Sequence, residues 1–418
     1  MINVTRRLAL ILLIAFPAGA ADLAAVRAEK VGMSSERLAR ITALTRGYVD
    51  EGKLAGAVTV IARHGKIVHY EAVGKQNLET GAPMARDTLF RIYSMTKPIT
   101  AVAAMILYEE GKFQLTDPVS KFVPELKDLK VLKDGEEKPA QSQMNMQQLL
   151  SHTAGFSYSF SASDPVDKRY RDEKLLSSKD LDEFIKKLAG IPLRDEPGTR
   201  WHYSVAVDVT GAVIERISGQ RFDRFLMERI FAPLKMEDTF FDVPESKLSR
   251  FGTNHRWNAE QRKLEVLPPS DYPIYRNTTF FSGGGGLVST AMDYMRFAEM
   301  LRNGGEFEGV RILSPKTIQL MTMDHLPAAL KPGTSSEVSS GSGFGLGFGV
   351  ITDVPKTGVV GSVGEYSWSG AAGTTFWVDP REEIVVVAMV QLMQSPWPLR
   401  RELKVLTYQA LTELNGKH

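Results

Sequence analysis

Segments that read as β-strands lie at both ends of this 418-residue chain, and most of what separates them reads as helix. Near the start, Ala57-Val58-Thr59-Val60-Ile61-Ala62, the turn residues His64-Gly65-Lys66 and Ile67-Val68-His69-Tyr70 predict a β-hairpin. Near the end, residues 347–351, 358–363, 374–378 and 383–390 predict further strands. Short turns such as Asp379-Pro380-Arg381-Glu382 between them favour antiparallel pairing. Helical spacing runs through 100–108, 181–188, 207–217 and 222–230, then through Met292, Met295 and Phe297 after the glycine run 283–286. A first helix, capped by Ser34 or Ser35, carries Leu38, Ile41, Leu44 and Tyr48, and a closing helix carries Leu403, Leu406 and Leu411. Strands at the two ends can share a core only in one sheet. The predicted fold is therefore of the α/β (α+β) class: an antiparallel sheet built from both termini and flanked by helices, with an inserted, mostly helical domain. The expected division is 22–92 with 285–418 for the sheet domain and 93–284 for the helical one.

Composition narrows the chemistry. The chain has no cysteine, so disulfides, thiolate catalysis and thiolate metal sites are excluded. Its seven histidines show no metal-ligand spacing, and neither metal nor cofactor is expected. A net charge of +2, with Lys and Arg scattered among Asp and Glu, leaves no nucleic-acid footprint. Residues 1–21 read as a signal peptide: Arg6 and Arg7, an apolar run at 8–16, then Ala18-Gly19-Ala20. That run is too short to span a bilayer, which takes about 20 residues. The mature chain is expected to be exported, periplasmic or secreted, without stable membrane association. Its core must come from the 43% hydrophobic residues alone.

Three places carry candidate chemistry. The first is Ser94-Met95-Thr96-Lys97-Pro98, opening an apolar helical run. With the N-cap at Ser94, Pro98 falls in the first turn, where its missing N–H costs nothing. Ser94 and Lys97 then share one face, with the hydroxyl at the positive end of the helix dipole. A serine nucleophile needs such an arrangement, a nearby proton acceptor and a field that favours the anion. The second place is the aromatic turn Trp201-His202-Tyr203-Ser204 before the helix near 207. The third is Tyr366-Ser367-Trp368-Ser369-Gly370-Ala371-Ala372-Gly373, whose small residues allow a backbone to approach a ligand closely. The polar stretch 158–178 and the Gly/Ser-rich stretch 333–347 are candidate loops beside a site.

Together these elements resemble the serine β-lactamase/DD-peptidase superfamily, and most closely its family VIII carboxylesterases. Those proteins carry Ser-x-x-Lys, then a catalytic Tyr, then Lys-Thr-Gly in β-lactamases or Trp-x-Gly in esterases. Here the three are Ser94-Met95-Thr96-Lys97, Tyr203-Ser204-Val205 and Trp368-Ser369-Gly370. Leu149-Leu150-Ser151-His152-Thr153-Ala154-Gly155 and Ile230-Phe231-Ala232-Pro233-Leu234-Lys235-Met236 are also similar to that superfamily, and the likeness spans about residues 30–410. Two departures from β-lactamases stand out: Val205 replaces an Asn, and Trp368 replaces a Lys.

The resemblance implies acyl transfer through a covalent ester on Ser94, with Tyr203 and Lys97 sharing the proton work, and which of the two is the base stays open. It also implies an oxyanion hole from the backbone N–H groups of Ser94 and Ala371, and substrate contacts from Trp368, Ser369, Gly370, Tyr158 and Phe156. Tyr93, Trp201 and Phe280 flank the same elements. The expected activity is hydrolysis of short-chain, small-molecule acyl esters, with weak β-lactam hydrolysis. A class C-like β-lactamase or DD-peptidase is the alternative. A catalytically idle binding protein is disfavoured because Ser94, Lys97 and Tyr203 are all present. A Ser-His-Asp triad on an α/β-hydrolase fold is disfavoured because no Gly-x-Ser-x-Gly occurs.

Overall fold

A computed structural model describes residues 23–268, 275–327, 330 and 340–416. The signal-peptide segment and residues 333–339 of the Gly/Ser-rich stretch lie outside the described residues.

The N-terminal hairpin forms as the sequence predicts. Strands β1 (Gly56–Arg63) and β2 (Lys66–Gly74) join through His64 and Gly65, with φ of 51° and 70°. Two positive φ angles match the handedness that the strand twist demands of a two-residue turn. The C-terminal strands are β3 (Ser342–Phe344), β4 (Gly349–Ile351), β5 (Tyr366–Ser369), β6 (Thr375–Asp379) and β7 (Ile384–Met389). They form one seven-stranded sheet in the order β3-β4-β5-β6-β7-β1-β2, antiparallel throughout. The two ends of the chain meet where β1 pairs with β7, Val58 opposite Met389 and Arg63 opposite Ile384.

Alternation along these strands divides the interior into two cores. Val58, Val60, Ala62, Phe376, Val378, Val385 and Val387 face the larger core, shared with the helical region. Ala57, Ile61, Trp377, Ile384, Val386 and Ala388 face a smaller one. Helices α1 (Ser35–Asp50) and α6 (Leu399–Tyr408) cover that smaller core. The Ser34 hydroxyl caps α1 by accepting from Arg37 N at 3.2 Å. On the other face, α5 (Ala291–Arg302) packs on β1, β6 and β7. Between the two sets of strands lie α2 (Thr96–Glu109), α3 (Leu181–Leu188) and α4 (Ala206–Ser218). Residues 96–107 of α2 are all buried, which its near-continuous apolar sequence requires.

Some boundaries differ from expectation. Residues 358–363 form no strand: a short helix, Val354–Thr357, ends at Gly358 in the left-handed region (φ 64°), and irregular chain follows. The strand is instead Tyr366–Ser369, in a stretch whose glycines suggested a turn. The helix expected at 222–230 is α-helical only over Phe222–Leu226 and continues as a π-helical turn, Met227–Phe231. The closing helix stops at Tyr408, before Leu411.

Candidate active site

The chain enters α2 through a 3-10 turn, Tyr93–Met95, and the N-cap is Met95 rather than Ser94. Pro98 sits in the first turn of α2, as expected. Tyr93 adopts φ 44°, uncommon for a bulky residue, and Asn254 Nδ2 holds its hydroxyl at 2.8 Å. The turn keeps Ser94 one residue outside the regular helix, half-buried, while Lys97 inside the helix is buried.

Three residues meet at the serine hydroxyl. Tyr203 donates its phenol O–H to Ser94 Oγ at 2.6 Å, and Lys97 Nζ donates to the same oxygen at 3.2 Å. Lys97 also donates to the Tyr158 hydroxyl at 3.2 Å and to the Gly284 carbonyl at 2.6 Å. Its ammonium stands 4.5 Å from the Tyr203 ring centre and 5.2 Å from that of Tyr158. An ammonium over two aromatic faces is held electrostatically with little loss of reach. The sequence elements at 94–97 and 203 thus converge, and Tyr158 joins them.

Behind Tyr203 lies His152, from the Leu149–Gly155 element. Its ring centre is 4.9 Å from that of Tyr203, and its Nδ1 is 3.2 Å from Ser204 Oγ. Burial, and next the Lys97 charge, hold the His152 imidazole well below the usual histidine range. It is therefore neutral at pH 7 and supports the phenol by shape. His202, depressed by burial and then by Arg194, bonds Ser157 Oγ at 3.1 Å and ties the two tyrosine-bearing segments together.

Two glycines are dictated by close approach. A Cβ on Gly370 would lie 2.4 Å from the Ile92 carbonyl oxygen, so only glycine lets the end of β5 pass the segment leading to Ser94. A Cβ on Gly284 would lie 2.4 Å from Asp208 Oδ2. Asp208, on α4, accepts from Gly284 N at 3.0 Å and Ser282 Oγ at 2.5 Å.

Ser94 opens on a cavity of about 620 Å³, lined by Tyr93, Tyr158, Phe160, Leu176, Tyr275, Phe280 and Met393 among others. Ala371 stands on the same wall, as do Gly284 to Gly286. Phe160 and Leu176 bring the 158–178 stretch to its edge, and Phe160 stacks on Tyr158 with ring centres 4.4 Å apart.

The remaining expected substrate contacts stand elsewhere. Trp368 and Phe156 are each 1% exposed and sit behind the wall, Trp368 with its ring centre 5.6 Å from that of Tyr203. Trp201 is likewise in the core, against His152 and Phe344. Ser369 Oγ is taken up by Arg400 Nη1 at 2.9 Å. Gly370 meets backbone, not the cavity. These residues shape the site from behind because alternation on β5 turns Trp368 inward and Ser369 to the opposite face.

Two residues that sequence reasoning did not single out, Asp208 and Thr100, hold the 283–286 segment. Thr100 Oγ1 donates to the Gly283 carbonyl at 2.9 Å. An acid inside the apolar run 207–217 was the available signal for Asp208. Among the described residues no group of three or more His, Asp or Glu could hold a metal ion.

Known proteins are similar to this chain in sequence and fold. The Beta-lactamase family model matches residues 41–409. Protein Rv1367c of Mycobacterium tuberculosis (strain H37Rv) is 37% identical over 357 residues, covering 83% of this chain and 88% of that protein. Esterase EstB of Burkholderia gladioli is 32% identical over 362 residues, covering 82% and 87% respectively. The solved structure of EstCE1, a hydrolase with promiscuous acyltransferase activity, superposes with a TM-score of 0.76 at 30% identity, covering 91% of this chain and 99% of that one. Simvastatin synthase LovD of Aspergillus terreus, at 23% identity and a TM-score of 0.78 over 90% of this chain and 98% of its own, shares the fold. The chain belongs to the β-lactamase family of the serine β-lactamase/DD-peptidase superfamily, as a serine hydrolase on its family VIII esterase branch.

Proposed function

We propose that this protein is a serine carboxylesterase that hydrolyses short-chain acyl esters through an acyl-Ser94 intermediate. One observation carries the reading: the Tyr203 hydroxyl and the Lys97 ammonium both point at Ser94 Oγ on the wall of a largely apolar cavity. In the reactive form one of Tyr203 and Lys97 has given up its proton; Ser94 Oγ attacks the ester carbonyl while its own proton passes to that group. The carbonyl oxygen gathers negative charge, which the N–H groups of Ser94 and Ala371 stabilise. The pair returns the proton to the departing alkoxide, and a water then releases the acid by the same route in reverse.

The β-lactamase or DD-peptidase alternative needs polar groups for a β-lactam's amide and carboxylate. Val205 is fully buried and apolar, and Trp368 stands where those enzymes present a lysine. Losing a charge-assisted contact costs about 1.5–3 kcal/mol. That loss at Trp368, with about 1 kcal/mol for the neutral hydrogen bond missing at Val205, places kcat/KM for a chromogenic cephalosporin on the order of a hundredfold below that for p-nitrophenyl butyrate. Side-by-side kinetics test this, together with p-nitrophenyl esters of increasing chain length. Faster turnover of palmitate than of butyrate would overturn the short-chain assignment, and comparable cephalosporin kinetics would favour the alternative. Export belongs to the same proposal, supported by the pattern of residues 6–20; among the described residues no helix is long and apolar enough to cross a membrane.

A further inference from the structure

The catalytic scheme leaves one buried carboxylate without a task. Asp208 is fully buried, yet its Oδ2 has no hydrogen-bond partner. Its Oδ1 accepts from Gly284 N and Ser282 Oγ, and the carbonyl of that same Gly284 receives Lys97 Nζ at 2.6 Å. One residue, Gly284, thus stands between a carboxylate and an ammonium: its N–H, in the 283–284 peptide, faces the first, and its C=O, in the 284–285 peptide, faces the second. The two charges attract each other across that residue, and in a dry interior the attraction is weakly screened. An unpaired carboxylate oxygen in such a place is costly unless a nearby cation compensates it.

We propose that Asp208 is a positioning residue, the buried counter-charge of Lys97, which holds the ammonium against Ser94 by way of Gly284 and sets how tightly Lys97 keeps its proton. The proposal rests on reading Ser94 as the nucleophile. The titratable groups that interact with Lys97 include Asp208, Tyr158, Tyr203 and His152. Two are phenols and His152 is held neutral, so Asp208 is the group that supplies negative charge. Burial holds the Asp208 carboxyl above the usual carboxylate range even against the pull of the Lys97 charge, Ser282 and Gly284 N. A direct ion pair would fix the proton on Lys97. A counter-charge one residue away stabilises the cation less and leaves its proton available.

D208N tests this, because it keeps an oxygen for Gly284 N and Ser282 and removes only the charge. Two measurements are made on the wild type and the variant: the titration of Lys97 by NMR of 13C-labelled lysine, and the pH dependence of Ser94 labelling by a fluorophosphonate. In D208N the Lys97 midpoint and the corresponding limb of the labelling profile should both move to lower pH by about one unit, a tenfold loss of proton affinity. The direction is the same whether Lys97 or Tyr203 is the base. G284A pushes the carboxylate aside without removing its charge, must move the limb the same way, and decides the matter should D208N not fold. A folded variant with an unmoved Lys97 midpoint overturns the proposal, as the role would then be structural only. Failure of wild-type Ser94 to label would sink the nucleophile assignment instead, with the Lys97 titration still deciding the role of Asp208.

Discussion

Two buried lysine–acid arrangements on opposite faces of the same sheet are built differently. On the α6 side, Lys404 Nζ meets Glu365 Oε1 directly at 2.5 Å, and the Tyr408 hydroxyl bonds both Glu365 Oε2 at 2.8 Å and Asp379 Oδ2 at 2.7 Å. Every carboxylate oxygen of Glu365 is used. On the Ser94 side, Asp208 reaches Lys97 by way of the backbone of Gly284 and leaves one oxygen without a partner. The first arrangement fastens α6 to the sheet with satisfied charges. The second tolerates an unsatisfied group, as sites that must move a proton do and structural sites avoid.

The sharpest break between the two comes from deleting the nucleophile. S94A should lower ester kcat/KM by on the order of 10⁵-fold, and K97A or Y203F added to it should cost little more, because residues on one proton path fail as a unit. A Y203F enzyme that keeps half its activity would remove the phenol from that path. H152A opens space behind the Tyr203 ring and should slow turnover on the order of 100-fold with an unchanged pH profile, since a displaced catalytic group loses that much. A change near pH 6.5 in the wild-type profile that vanishes in H152A would show instead that this imidazole titrates.

E365A attacks the other arrangement. Removing one partner of a buried pair should lower the free energy of unfolding by about 3 kcal/mol in urea titrations, with Ser94 labelling of the folded fraction unchanged. A matching loss of labelling would mean that the two faces are coupled. The smallest effect is in pH. Burial raises the Glu365 carboxyl above the usual range despite Lys404 and Tyr408, so the folded state holds that proton more tightly than the unfolded chain. Its contribution to stability is then present in acid and lost as pH rises through the raised value. The stability of wild type relative to E365Q should fall from pH 4 to pH 8. The opposite slope would mean that the Lys404 ion pair outweighs burial.

The hairpin, the α2 run and the spacing of Ser94 and Lys97 were legible because each is written in local pattern, whereas the meeting with Tyr203 was implied by the family resemblance. β1 is buried at every position, and its turn carries the residues that a positive φ selects. What was not legible depends on facing. Trp368 and Phe156 sit beside the right motifs, yet alternation on β5 turns Trp368 into the core and Phe156 is buried from a loop. Asp208 and Gly284 form one device from positions far apart in the chain, with no shared motif to announce it. The strand at 366–369 was hidden by flanking glycines whose task is the passage of Gly370 beside Ile92. Ser94 missed the N-cap because Tyr93 takes a left-handed turn that aromatic residues seldom adopt.

The pairing of β1 with β7 also fixes when this molecule can come into being. The hairpin emerges from the ribosome among the earliest residues, but its inner edge has no neighbour until Ile384–Met389 has been made. A contact between such distant parts of a chain closes slowly. The turn before Ser94 is propped by Gly370, so the serine acquires its setting only once that late segment has docked. A nascent or C-terminally truncated chain would carry all three reactive side chains without the segment that braces the turn before Ser94.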